Sequence, residues 1–88
     1  MKHITLRVLT APHCARCDEF LRFFESIRGE WQNVEMQEVS MLSEEGQELV
    51  RKHLVFASPG IIINDDLFCS GDFDKTAIQE KLRSLSVI

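Results

Sequence analysis

The sequence predicts an α/β domain with element order βαβαββα, a four-stranded mixed sheet flanked by helices. Three observations carry that expectation. The run Ile4 to Leu9 reads as a strand and leads directly into a segment with helical spacing. The uninterrupted β-branched run Ile61-Ile62-Ile63 reads as a buried central strand. Asn64-Asp65-Asp66 carries turn chemistry that folds the chain back on itself. A strand–helix–strand unit implies a right-handed crossover, so the first two strands pair in parallel. The last two strands then form a hairpin, and strands one and three are central.

The chain has 88 residues, enough for one core, and is expected to form a single domain over residues 1–88. Its formal net charge of −4 gives no basic face for nucleic acid. Three cysteines, an odd number, do not suit a secreted disulfide scaffold. With no charged leader before an apolar stretch and no run of membrane-spanning length, the expectation is a cytoplasmic, monomeric protein.

Each element has its own sequence signal. In the first strand, His3 to Leu9, one face carries Ile4, Leu6 and Val8 and the other Thr5, Arg7 and Leu9. The first helix is expected from Cys14 to Arg28, because Cys17, Phe20, Leu21, Phe24 and Ile27 recur at steps of three and four. Gly29 reads as its stop and Trp31 as a lid on the core edge. Strand two, Val34 to Val39, carries Glu35 and Glu38 and so reads as an edge strand. Ser43 is a natural N-cap for the second helix, whose buried side is expected to be Leu49, Val50, His53 and Leu54. Gly46 inside that helix predicts a cost of roughly 1 kcal/mol relative to alanine. Leu67 to Ser70 returns as strand four and Gly71 closes it. Asp72 or Asp74 caps the last helix, with Ala77, Ile78, Leu82 and Leu85 as its stripe.

The chemistry is concentrated in Thr10-Ala11-Pro12-His13-Cys14-Ala15-Arg16-Cys17. A helix start exposes unpaired N–H groups and the positive end of the helix dipole, which stabilise a thiolate on the first cysteine. A spacing of three brings both sulfurs to one side of the first turn, within disulfide reach. Arg16, always charged, and His13, in its protonated form, are expected to make the surroundings of Cys14 more electropositive.

With V-F-A-S-P-G-I-I-I-N before strand three and G-D-F-D-K-T before the last helix, this motif makes the chain resemble the thioredoxin superfamily, and in particular its small glutaredoxin-sized, redox-active-disulfide members. The resemblance implies a thioredoxin-like fold and thiol–disulfide exchange. It makes Cys14 the nucleophile and Cys17 the resolving thiol, and it makes Pro59 the cis-proline beside them. Ser58 would offer its backbone groups to an extended substrate as an added strand does. Gly71 and Asp72 fall where glutaredoxins hold glutathione, and with His13 and Arg16 they complete the expected substrate-binding set. The implied partners are protein disulfides, with a reductase or glutathione as electron donor and no cofactor. His13 and the residues between the cysteines depart from thioredoxins and glutaredoxins alike, so the donor stays open. The competing reading is a metal-binding or redox-sensing module without turnover, in which Cys69 and His13 would supplement the cysteine pair. Cys69 otherwise reads as a small core side chain. Phe56 and Phe73 are candidates either for the core or for an apolar surface beside the site.

Overall fold

In a computed structural model, which describes residues 2–87, the elements follow the expected order. Strand β1 (Ile4–Thr10) leads to helix α1 (Ala15–Ile27), which ends in a 3-10 turn over Arg28–Glu30. Strand β2 (Val34–Ser40) and helix α2 (Glu44–His53) follow, then β3 (Gly60–Ile63), β4 (Asp66–Ser70) and helix α3 (Lys75–Ser86). The sheet order is β2-β1-β3-β4, with β1 and β3 central as their apolar content requires. β1 pairs with β2 in parallel, and the β1–β3 and β3–β4 pairs are antiparallel.

Alternation along the strands divides the interior into two cores. Ile4, Leu6, Val8, Ile61 and Ile63 meet Phe20, Phe23, Phe24 and Ile27 of α1 and Ile78 and Leu82 of α3 on one face. Leu9, Val39 and Ile62 meet Leu49 of α2 and Val55 on the other. Each such side chain withdrawn fully from water contributes about 1.5–3 kcal/mol before chain entropy is counted. Arg7 lies on the α2 face, where the smaller core does not reach, and its guanidinium meets Gln37 and Asp65. That explains a charge on a central strand. The β3–β4 register skips one residue, pairing Ile61 with Cys69 and Ile62 with Leu67. The bulge at Phe68 lets the consecutive residues Phe68 and Cys69 both pack on the larger core.

The turns follow from local chemistry. Asn64 and Asp65 take φ of 48° and 71°, the double left-handed conformation that a tight hairpin favours. Asn64 also binds β1, through its N–H to the Thr5 carbonyl and its Oδ1 from the Thr5 N–H. Ser43 caps α2 by accepting from the Gly46 N–H, and Asp74 rather than Asp72 caps α3 by accepting from the Ala77 N–H.

Two expectations about α2 are corrected. Leu54 is not on its buried side: it is the C-cap, with φ of 56°, and its side chain is exposed. The chain must turn left-handed there to reach Val55, which is buried, and that rotation carries Leu54 outward. Gly46 is a packing requirement rather than a blemish. A β-carbon at that position would fall 1.9 Å from the Ser40 carbonyl oxygen.

Candidate active site

Cys14 and Cys17 form a disulfide across the first turn of α1, with α-carbons 5.3 Å apart. Cys14 is itself the N-cap of the helix, and its Sγ accepts the Cys17 N–H at 3.1 Å. The sulfur therefore occupies the place of an N-cap oxygen, facing otherwise unpaired helix donors. Cys14 is half-buried, whereas Cys17 is 2% exposed beneath the helix. The two sulfurs are chemically distinct: a partner can approach one and not the other.

A second segment meets this turn from the other half of the chain. The Ser58–Pro59 peptide bond is cis, Pro59 is buried, and the Ser58 hydroxyl lies 3.3 Å from Cys14 Sγ. Sequence reasoning offered only the backbone of Ser58; its side chain is the group at the sulfur. A polar residue just before the proline was the one available signal. The Pro59 carbonyl accepts the Gly71 N–H at 2.9 Å, and Gly71 takes φ of 84° to present it. A β-carbon there would also crowd Ala57 at 3.1 Å.

Arg16 is engaged by its own helix and by the β4–α3 loop. Its Nε donates to Asp72 Oδ1, one terminal nitrogen to Glu19 and the other to the Phe73 carbonyl, with the guanidinium 4.0 Å from the Phe73 ring centre. Its charge is paired with two carboxylates, Glu19 and Asp72. Asp72 is held below the ordinary carboxylate range by the Arg16 hydrogen bond and by the Phe73 N–H. Arg16 is a strut between α1 and the β4–α3 loop. His13 is exposed at φ of 58° in the turn before Cys14.

Phe73 is buried and packs edge-on against Phe20 and stacked against Phe23, which removes it from any docking surface. Phe56, by contrast, is 87% exposed, two residues before Ser58. Cys69 is half-buried, and burial pushes its thiol up to about 11, with Asp72 adding to the effect. Among the described residues, no three His, Cys, Asp or Glu side chains are grouped so as to hold a metal ion. Nor is any helix among them long and apolar enough to cross a membrane.

No protein-family model and no curated protein matches the sequence. Solved structures do match. Thioredoxin O2 from Arabidopsis thaliana in its oxidised state superposes with a TM-score of 0.76 at 13% identity, over 98% of this chain and 77% of that one. An uncharacterised thioredoxin-like protein from Clostridium perfringens gives 0.78 at 17% identity, over 96% of this chain and 71% of that one. Fasciola hepatica thioredoxin gives 0.73 at 20% identity, over 93% and 80%. The chain has the thioredoxin fold. Within that fold the C-x-x-C disulfide opens α1, and an oxidised pair at such a place suggests thiol–disulfide chemistry.

Proposed function

We propose that the protein is a thiol–disulfide oxidoreductase whose reactive group is the Cys14–Cys17 pair. In the reduced form the Cys14 thiolate attacks one sulfur of a substrate disulfide. A mixed disulfide forms and the other substrate sulfur leaves as a thiolate. Cys17 then attacks Cys14 Sγ, which closes the intramolecular disulfide and releases the second substrate sulfur. Two electrons pass to the substrate. The observation that carries this reading is the asymmetry of the pair: an accessible sulfur at the helix N-cap and a buried one a turn later. The cis bond at Pro59, with Ser58 against Cys14, supports the assignment of that loop to an extended substrate segment.

The proposed substrates are disulfides of proteins, and Phe56 beside the loop suits an apolar residue near the substrate cysteine. A reductase or glutathione would restore the dithiol, and a monomer in the cytoplasm fits that use. The test is thiol labelling with mass detection across a glutathione series on metal-free protein. Cys14 and Cys17 should become protected together at one two-electron midpoint, with Cys69 independent. Cys17→Ser should then accumulate mixed disulfides through Cys14. Absence of a reversible pair, with zinc protecting the thiols instead, would overturn the proposal.

A further inference from the structure

A hollow of about 430 Å3 opens on the flank of α1, lined by Glu19, Arg22, Phe23 and Ser26 of that helix and by Lys75, the first residue of α3. Phe23 is buried, and Lys75 Nζ lies 5.8 Å from its ring centre, within range of the ring's negative face. Among the described residues neither Arg22 nor Lys75 has a carboxylate within ion-pair distance, whereas Arg7, Arg16, Arg28 and Lys52 each have one. The one carboxylate in the lining, Glu19, is paired with Arg16, and the Ser26 hydroxyl donates to the Phe23 carbonyl. Two positive charges are therefore left unmatched in one hollow, on a chain whose formal net charge is −4. The reactive pair is within reach. Arg22 follows Cys14 by two helical turns, about 12 Å along the axis, which an extended segment covers in about four residues.

We propose that Arg22 and Lys75 receive a carboxylate side chain of the disulfide-bearing protein, about four residues from the cysteine that Cys14 attacks. This rests on the oxidoreductase reading above and narrows its substrates; the exchange step itself is unchanged. The guanidinium supplies a planar fork for the carboxylate and the ammonium a second charge beside it. An acidic partner as a whole is repelled by the net charge of the chain, so the preference comes from one carboxylate in register with the hollow and not from an acidic surface. Both cations are exposed, so salt weakens the contact. Its effect is on which disulfide is presented to Cys14 and how fast the encounter forms.

The test mixes reduced protein with two peptide disulfides that differ only at the positions four residues either side of the cysteine, glutamate in one and glutamine in the other. Exchange rates are read by alkylation and mass at low and at high salt. The glutamate peptide should react about fivefold faster at low salt, the scale of an exposed ion pair, and should lose that advantage at high salt. Arg22→Gln combined with Lys75→Gln should abolish the advantage while the glutamine peptide reacts as in wild type. Arg51→Gln combined with Lys81→Gln changes the net charge equally at exposed residues outside the hollow, and should keep it. Equal loss in both double variants would assign the effect to net charge and overturn the proposal. Equal rates for the two peptides in wild type would overturn it too, with the oxidoreductase reading left standing. If neither peptide exchanges, that reading fails and the proposal fails with it.

Discussion

Gly46 and Cys69 show how a single side chain, present or absent, is decided by what lies opposite it. Helix propensity alone favours Gly46→Ala by roughly 1 kcal/mol. The Ser40 carbonyl, 1.9 Å from a β-carbon there, is backbone and cannot rotate away. The variant should therefore lose about 1–3 kcal/mol of stability, as overpacked sites do, measured by urea denaturation. A gain would show that α2 can slide away from β2. Cys69 is governed by burial. With its thiol pushed up to about 11, about one molecule in a thousand carries a Cys69 thiolate at pH 8. In the reduced protein it should alkylate far more slowly than Cys14, a rate read by mass spectrometry. Its linkage to stability has a defined sign. The raised pKa means the folded state holds the proton more tightly. That contribution is complete below the ordinary value of 9.0 and is lost as pH rises toward 11.

At the scale of elements, Arg16 ties the N-terminus of α1 to the β4–α3 loop. Arg16 reaches Asp72 and Phe73, more than 50 positions along the chain, with all three of its nitrogens engaged. Surface ion pairs are ordinarily worth little, and both partners here touch solvent. The geometry argues for a role in order rather than in stability. Arg16→Ala should speed amide hydrogen exchange at Gly71, whose N–H is bonded to Pro59, with little change in the global unfolding midpoint. Arg16→Lys should not rescue it, because an ammonium cannot meet three acceptors set around a planar fork. An unchanged Gly71 exchange rate in the alanine variant would show that Phe73 burial alone fixes the loop. The carboxylate side has a pH sign of its own. Asp72 is depressed, so its contribution is full above 3.8 and is lost as pH falls through its lowered value.

For the whole molecule, the order of elements, the central strands and the place of the Cys14–Cys17 pair were legible in the sequence because each is written locally. Period-two and helical spacing mark the strands and α1, Asn64-Asp65 marks the hairpin, and Cys14 with Cys17 sits where strand becomes helix. What could not be read depends on residues that meet only after folding. The Ser40 carbonyl that makes Gly46 necessary lies in another element. Phe56 and Phe73 are both loop aromatics in sequence, and only the approach of Phe20 and Phe23 to one of them separates exposed from buried. Arg16 read as a positive charge beside Cys14 because two of its three acceptors, Asp72 and the Phe73 carbonyl, belong to the far end of the chain.

The contact between Cys14 and Ser58 joins the βαβ half to the ββα half, and nothing within either half can make it. The stretch from Leu54 to Ala57, exposed except at buried Val55, is where those halves are joined. Two fragments divided there would each lack a complete site, and they would regain it only when β1 pairs with β3. The ionisation of one sulfur thus becomes a reporter of assembly, silent until both pieces dock in register.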